Sequence, residues 1–374
     1  MNPLSSVQLN RHNLKHNIKE FRKLIHKDSN LVGVIKANAY GHGQNEIAKI
    51  IEPYIDCFQV DDYLELQKLR AVSYKRTLVL GYVAKNEIED VIKLDGELTI
   101  YDTERLGIIN TSAEKLNKIA YVHIKIDAEL GRQGLLLPDL DTYLKQIKKY
   151  SHIKIASIYS HFSNIEDTTN LAHAKTQIAL LDEAIRICKQ NNLKDIDTHI
   201  EATSGILAFQ NKSGHNMVRL GIGMYGLYPS SNLKRKWEKK LKLKPVLEWH
   251  TKVAQIKKLP KGFPVGYGCT YITKRPTTIA VIPQGYSDGF DRGLSNKGAV
   301  LIKGKKAPVL GRVAMNMFVV DITHIKGVHV EDQVTLLGTQ HKQTISAEDI
   351  AKQIDTINYE ITTRISPLLP RVIV

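Results

Sequence analysis

The chain has 374 residues, 43% of them hydrophobic, which is an ordinary composition for a globular protein with room for two domains. No apolar stretch is long enough to cross a bilayer, and the N-terminus lacks the basic and apolar regions of a signal peptide. The three cysteines, Cys57, Cys188 and Cys269, lie far apart without metal-ligand spacing. We therefore expect a cytoplasmic protein with no metal and no membrane partner.

The charge balance is strongly basic, because 53 lysines and arginines oppose 38 aspartates and glutamates, for a net charge of +15. The densest basic run lies between Lys234 and Lys244. Such a charge is compatible with a nucleic-acid partner. Since no zinc-finger spacing or aromatic RNA-binding motif accompanies the run, we expect a solvated basic surface and no nucleic-acid partner.

The first two thirds of the chain alternate between strand-like and helix-like segments. Helical periodicity marks residues 63–70, 140–149 and 171–190. Apolar or β-branched runs predict eight strands, at Leu31–Ile35, Cys57–Val60, Thr77–Leu80, Glu97–Ile100, Tyr121–Ile126, Ile153–Tyr159, Asp197–Ile200 and Met217–Ile222. This α/β alternation predicts an N-terminal (β/α)8 barrel of the TIM type.

Beyond the basic run, short extended segments separated by glycine and proline predict a mostly-β C-terminal domain. A short helix is expected after Ser346, where Asp349 completes an approximate capping box. We place the boundary within Ser230–Leu243, so that residues 1–235 form the barrel domain and residues 236–374 the β domain. Whether the first ten or so residues pack with the C-terminal domain stays open. The predicted strands are Val246–Ile256, Thr278–Ile282, Ala299–Ile302, Val309–Val313, Phe318–Ile322 and Gln333–Leu337.

One lysine stands at the end of the first predicted barrel strand. Residues 34–43 read VIKANAYGHG, so Lys36 directly follows an apolar run, and Gly41 and Gly43 flank His42. In a parallel barrel the C-terminal ends of the strands carry the chemistry, and a partly desolvated lysine there can attack a carbonyl. The glycines allow a tight turn or a close approach to a ligand. A surface lysine after a core strand is the ordinary alternative.

Other predicted strand ends also carry reactive side chains or glycines. A barrel would bring them to one mouth, where they supply backbone N–H groups and positive charge for an anionic phosphate. Taken singly, each is as easily a structural residue. These ends are Lys125 with residues 131–134, His161, residues 203–205 and residues 219–226, and the β domain adds tyrosine- or glycine-rich segments at 265–271, 285–289 and 311–317.

Six segments, in this order, resemble those of the alanine racemase family, pyridoxal 5′-phosphate (PLP) enzymes with an N-terminal barrel and a C-terminal β domain. The resemblance runs from about residue 5 to the C-terminus. It implies a PLP cofactor, interconversion of L- and D-alanine for peptidoglycan synthesis, and a homodimer with shared active sites. The segments are VIKANAYGHG at 34–43, SHF at 160–162, MVRLGIGMYG at 217–226, GYGCTY at 266–271, GYSDG at 285–289 and GRVAMNM at 311–317.

The resemblance also implies a role for each matching residue. Lys36 would bind PLP covalently and act as one catalytic base, and Tyr267, reaching the site of the other subunit, would be the opposite base. The other cofactor contacts would come from Tyr40, Ser204 and the backbone of Gly221 and Ile222 at the phosphate, Arg219 at the pyridine nitrogen and His161 beside the ring. The substrate side would comprise Arg132, which also contacts the ring hydroxyl, the backbone N–H of Met315, Tyr286 at the entrance, and Lys125 as a carbamylated neighbour.

Two bases suit racemisation, because one group cannot easily remove a proton from one face of Cα and return one to the other. Arg132 and Arg219 would favour the phenolate form of Tyr267. An arginine cannot usefully give up its proton. With Arg219 at the pyridine nitrogen, the cofactor would be a weaker electron sink, which would suppress transamination.

Four positions depart from the pattern of the family. Glu129 adds a negative charge in the loop after Lys125, which puts its carbamylation in doubt. Thr203 stands where an asparagine is common, and Asn316 where an aspartate is common. Pro367 occupies the place of a tyrosine that binds the phosphate, and proline has neither a hydroxyl nor an N–H. We therefore expect weaker PLP retention than in a relative with that tyrosine.

Three other functions stay open at this level. A racemase of serine or another small amino acid would share the catalytic pair. A PLP decarboxylase of similar architecture usually has an acid at the pyridine nitrogen, where this chain has Arg219. A single-domain PLP carrier shares the barrel and the lysine, but it lacks the β domain that contains Tyr267.

Overall fold

The computed structural model describes residues 3–374, which form two compact units. The first unit comprises residues 14–39 and 47–244, and the second comprises residues 3–13, 40–46 and 245–374. No helix within residues 3–374 has the length and apolar character needed to span a membrane.

Strands and helices alternate along most of the chain as far as residue 237, and strands predominate in the remainder of the described residues. The strands are β1 (Ser6–Leu9), β2 (Asn30–Val34), β3 (Cys57–Val60), β4 (Thr77–Val79), β5 (Gly96–Ile100), β6 (Ala120–Lys125), β7 (Ile153–Tyr159), β8 (Asp197–His199), β9 (Met217–Leu220), β10 (Leu247–Lys252), β11 (Gln255–Leu259), β12 (Pro264–Val265), β13 (Tyr271–Ile272), β14 (Thr277–Ile282), β15 (Ala299–Ile302), β16 (Lys305–Leu310), β17 (Phe318–Asp321), β18 (Gln333–Gln340), β19 (Gln343–Ile345) and β20 (Arg371–Ile373). The helical segments are α1 (Arg11–Arg22), α2 (Lys36–Tyr40), α3 (Gln44–Ile51), α4 (Tyr63–Arg70), α5 (Ile88–Lys93), α6 (Leu106–Lys115), α7 (Leu140–Ile147), α8 (Ala172–Gln190), α9 (Thr203–Phe209), α10 (Ser231–Trp237), α11 (Ala347–Gln353) and α12 (Asn358–Thr363).

The first unit is a nearly closed barrel of parallel strands, in the order β8-β7-β6-β5-β4-β3-β2-β9 within the described residues. All eight predicted strands are present, and the prediction of a TIM-type barrel is confirmed. Strands β3, β4 and β5 are buried at every position, as expected when helices cover a parallel sheet. The backbone N–H of Arg219 on β9 donates to the carbonyl of Glu201 (3.0 Å), just after β8, which draws the open edges together.

Helix α8 lies within the predicted helical range 171–190. Its buried face consists of Ala174, Gln177, Leu181, Ala184 and Cys188, so one glutamine is buried among apolar side chains. The side-chain amide nitrogen of Gln177 donates a hydrogen bond to the carbonyl of Ala128 (2.6 Å). A buried polar group of this kind is tolerated because it is hydrogen-bonded.

The second unit contains the predicted mostly-β structure, with a sheet in the order β11-β14-β17-β16-β15-β18-β10-β1-β20. Strand β1 pairs antiparallel with β10 and parallel with β20. The single strand expected over residues 246–256 is in fact two strands, β10 and β11, because the chain changes partner at Val253 and Ala254. The N–H of Val253 donates to the carbonyl of Asp332, whereas that of Ala254 donates to Val281 (2.9 Å each). The helix expected after Ser346 is α11, and its capping box is present.

We expect Gly41→Ala to destabilise the protein more than Gly262→Ala. Both glycines have φ of +82°, so alanine carries the same backbone cost, on the order of 1 kcal/mol, at either position. A Cβ at Gly41 would overlap the carbonyl oxygen of Thr362, whereas a Cβ at Gly262 meets no atom within 4 Å. Urea denaturation should therefore show a loss of roughly 1 kcal/mol for Gly262→Ala and several-fold more for Gly41→Ala. Equal losses would contradict the close backbone approach.

Candidate active site

Lys36 lies immediately beyond the C-terminal end of β2, as the sequence predicts. Its side chain is 36% exposed, and its Nζ donates a hydrogen bond to Oδ1 of Asp61 (3.3 Å). Asp61 directly follows β3, the neighbouring strand of the barrel. The amine is therefore positioned by a carboxylate at the same edge of the sheet.

The turn after Lys36 is strained. Residues 37–40, Ala-Asn-Ala-Tyr, all have φ between 51° and 55°, in the left-handed region, so the segment labelled α2 is a left-handed turn that continues into Gly41 at φ of +82°. Left-handed backbone costs about 1–2 kcal/mol for each residue with a Cβ. The Glu65 carboxylate offsets part of this cost by accepting from the N–H of Ala37 (2.6 Å) and of Asp61 (2.8 Å). Burial raises the pKa of Glu65 in this position.

Arg219 projects from β9 and is 3% exposed. Its Nη1 contacts Nδ1 of His199, and its Nη2 lies 3.1 Å from Nδ1 of His161. Nη2 also lies 3.1 Å from the carbonyl oxygens of Ser160 and Ile200. These acceptors fix the plane of the guanidinium.

Five of the residues predicted from the sequence act on one another electrostatically in the barrel. Burial, followed by the charges of Arg219, Arg132, Lys125 and Lys36, lowers the pKa of His161 to about 3. The imidazole is therefore neutral near pH 7. Because Arg219 can only donate, Nδ1 of His161 accepts and its proton is on Nε2.

The pKa of Lys125 is also lowered. Burial, and then the charges of Arg132 and Arg219, lower its pKa to about 8, while Asp127 opposes the shift. The Lys125 Nζ lies 3.3 Å from Oε1 of Gln133. A substantial fraction of the amine is thus neutral at mildly alkaline pH.

The loop between Lys125 and Arg132 folds around Asp127, whose carboxylate accepts from the N–H of Arg132 (3.0 Å). Glu129 instead lies beside His173, with 3.5 Å between Oε2 and Nδ1. The acid that raises the pKa of Lys125 is therefore Asp127.

The residues expected at the phosphate lie at the start of α9 and after β9. The Ser204 hydroxyl donates to Oε1 of Glu166 (2.6 Å). The Thr203 hydroxyl accepts from the N–H of Gly221 (3.2 Å) and of Gly223 (3.3 Å), so it ties this turn to α9. Ile222 is buried at 1% exposure. Thr203, which stands where an asparagine is common, thus has a structural role through its hydroxyl.

The second unit holds the other predicted residues. Tyr40 packs near Tyr359, with ring centroids 6.0 Å apart. Tyr267, Tyr286 and Met315 line one groove of about 800 Å³, and their exposures are 74%, 44% and 55%. In the same groove, the N–H of Tyr286 donates to the carbonyl of Ala314 (3.1 Å), which fixes the loop before Met315.

Sequence reasoning missed three residues that contact the predicted site residues or the turn after Lys36. Asp61 and Glu65 position Lys36 and its turn, and His199 accepts from Arg219. Their only sequence signal is weak, since each is a polar residue near a predicted strand end.

Comparison with known proteins identifies both parts of the chain. Family models described as the alanine racemase N-terminal and C-terminal domains match residues 9–229 and 246–373. Alanine racemase 1 of Caldanaerobacter subterraneus subsp. tengcongensis is 37% identical and covers 96% of this chain and 92% of its own length. The alanine racemase of Methanococcus maripaludis is 35% identical and covers 96% and 95%.

Solved structures agree with these relatives. The alanine racemase of Clostridium difficile 630 superposes with a TM-score of 0.94 at 31% identity, covering 100% of this chain and 96% of its own. That of Bartonella henselae, with covalently bound pyridoxal phosphate, has a TM-score of 0.86 at 26% identity and covers both chains completely. These matches favour the racemase over the decarboxylase and carrier alternatives, and they give no support to serine as the substrate.

We expect His161→Asn to reduce the dependence of stability on pH. Burial and the nearby positive charges hold the pKa of His161 at about 3 in the folded state, whereas the unfolded chain protonates it below its ordinary 6.5. Between these values the unfolded state binds one proton more, so stability falls as the pH decreases, by up to about 1.4 kcal/mol per pH unit. The variant should lessen this slope, measured by urea denaturation at several pH values.

His12→Asn is the matched control for this measurement. His12 is an exposed residue on α1. The control should keep the wild-type slope. An unchanged slope for His161→Asn would contradict the neutral, buried histidine.

Proposed function

Because the chain belongs to the alanine racemase family of PLP-dependent isomerases, we propose that it interconverts L- and D-alanine with Lys36 and Tyr267 as two opposite bases. The proposal rests on one observation: predicted site residues at the C-terminal edge of the barrel lie close enough for their charges to lower the pKa of His161. An amine, a buried arginine and a neutral imidazole occur there together.

The chemistry of the barrel residues fits the cofactor. PLP carries an aldehyde, an anionic phosphate and an aromatic ring, and when bound it delocalises the electron pair that deprotonation leaves at Cα. Lys36 would hold the aldehyde carbon, and Arg219 would face the pyridine nitrogen. The positive charge of Arg132 and Arg219 suits an anion. Tyr40 and the backbone of Gly221 and Ile222 would hold the phosphate, joined by Ser204 once its hydroxyl turns from Glu166 to the phosphate.

The proposed proton transfers use one group on each face of the substrate. Lys36 would remove or return a proton on one face, and Tyr267 would do so on the other. His161 would remain neutral and keep its Nε2–H available as a donor, since its Nδ1 accepts from Arg219. The backbone N–H of Met315 and the side chain of Arg132 would hold the substrate carboxylate, and Tyr286 would line the entrance.

Carbamylation of Lys125 is supported by its lowered pKa. A neutral amine is the form that reacts with carbon dioxide, and a pKa of about 8 provides it near neutral pH. The negative carbamate would lie beside Arg132, whose charge favours it.

The proposed assembly is a homodimer in which each site is shared. Tyr267 is 74% exposed, and the apolar side chains of Met315 and Met317 are each more than half exposed in the same groove. Exposed aromatic and methionine side chains are typical of interaction surfaces. We propose that residues 236–374 contribute Tyr267 to the barrel of a second copy, and that the product D-alanine supplies peptidoglycan synthesis.

We expect Lys36→Ala and Tyr267→Phe each to lose racemase activity, the latter by about 10²- to 10⁴-fold, because each removes one of the two bases. When the two inactive proteins are unfolded, mixed in equal amounts and refolded, each mixed dimer should contain one intact site. Recovery should reach about a quarter of wild-type activity, measured as D-alanine formed from L-alanine.

Tyr271→Phe is the matched control, since it removes a tyrosine hydroxyl from β13 in the same segment. It should retain most of the wild-type activity. Mixed dimers that form without any recovery would contradict the shared site, and full activity of Tyr267→Phe would contradict the two-base proposal.

A further inference from the structure

A chain of buried polar side chains extends from Arg219 through the interior of the barrel. Nη1 of Arg219 contacts Nδ1 of His199, and Nε2 of His199 lies 3.3 Å from Oγ of Ser157. That Oγ lies 2.5 Å from Nδ1 of His123, whose Nε2 lies 2.6 Å from Oε2 of Glu97. All five residues are less than 9% exposed. The chain crosses four neighbouring strands, β8, β7, β6 and β5, beyond Arg219.

The direction of hydrogen bonding is determined at the Arg219 end. A guanidinium can only donate, so with Arg219 in its observed orientation Nδ1 of His199 accepts and the ring proton is on Nε2. Burial and the charge of Arg219 lower the pKa of His199 well below its ordinary value, so the ring is neutral. Its Nε2–H therefore donates to the hydroxyl oxygen of Ser157.

The other end imposes the same direction. Although burial opposes ionisation of Glu97, hydrogen bonds from His123 and Arg76 hold its pKa below the ordinary value, so the carboxylate only accepts. Arg76 anchors this carboxylate through Nε (2.8 and 2.9 Å) and reaches Asp197 through Nη1 (2.7 Å). Nε2 of His123 donates to this carboxylate, which leaves its Nδ1 to accept the hydroxyl proton of Ser157 in the one-way arrangement that we propose next.

We propose that Glu97, His123 and Ser157 are positioning residues, whose one-way chain of donors holds His199 in its Nε2–H tautomer and so fixes the orientation of Arg219. The proposal rests on the proposed function for the role of Arg219 at the pyridine nitrogen. In the opposite tautomer, the Nδ1–H of His199 would face an N–H of Arg219, and the guanidinium would have to move. The carboxylate of Glu97 thereby determines a donor geometry four hydrogen bonds away.

The test measures the tautomer directly. In the holoenzyme labelled with ¹⁵N-histidine, His199 and His123 should each give the signals of a neutral ring with its proton on Nε2, assigned with a variant of each histidine. Ser157→Ala should convert His199 to a mixture of tautomers. It should also raise the equilibrium dissociation constant of PLP about fivefold, the effect of losing one neutral hydrogen bond.

Thr77→Val is the matched control. It removes another buried hydroxyl from the barrel, one that accepts from Nη1 of Arg70 (3.0 Å), donates to the carbonyl of Lys75 (2.7 Å) and lies outside the chain. It should leave the His199 tautomer and the PLP dissociation constant unchanged, even where its melting temperature falls as much as that of Ser157→Ala. An equal weakening of PLP binding by both variants would indicate a merely structural effect and overturn the proposal.

Other outcomes also decide the proposal. A protonated ring, or a ring proton on Nδ1, at either His199 or His123 in the wild type would overturn it. So would an unchanged tautomer in Ser157→Ala, or a changed tautomer with unchanged PLP binding. Neither measurement requires turnover, so a protein that shows the expected tautomers but does not racemise alanine would contradict the proposed function alone.

Discussion

The buried guanidinium of Arg219 is the interaction on which the rest of the site depends. It lies at 3% exposure among acceptors from the ends of β7 and β8 and from His199 and His161. Its charge contributes to the lowered pKa values of His161, His199 and Lys125. Burial and this cation together keep two imidazoles neutral and make a nearby lysine easier to deprotonate, while the cation favours an anionic ligand.

The second constraint is the backbone that follows Lys36. Four consecutive left-handed residues are unfavourable for any L-amino-acid sequence, and strain of this kind persists only where surrounding contacts hold it. Glu65 provides such contacts through the N–H of Ala37 and Asp61. Because Asp61 also accepts from the Lys36 amine, one pair of carboxyl groups links the strained turn to the position of that amine.

Much of the fold was predictable because burial on both faces makes a barrel strand a largely apolar run, such as β2 and β3. Helix α4 was predicted with its observed bounds, since Asp62 caps its first turn. The change of partner after β10 was missed, because the choice between two neighbouring strands depends on tertiary pairing. The chain from Arg219 to Glu97 was missed for a related reason. Its members are single polar residues on separate strands, and only the register of the barrel brings them into contact.

Racemisation of alanine through removal and return of the Cα proton is the central claim, and exchange with solvent measures it most directly. The purified protein with PLP and L-alanine in deuterated water should lose the optical rotation of the amino acid and incorporate deuterium at Cα in both enantiomers. A solution that keeps its rotation and acquires no Cα deuterium would contradict the account.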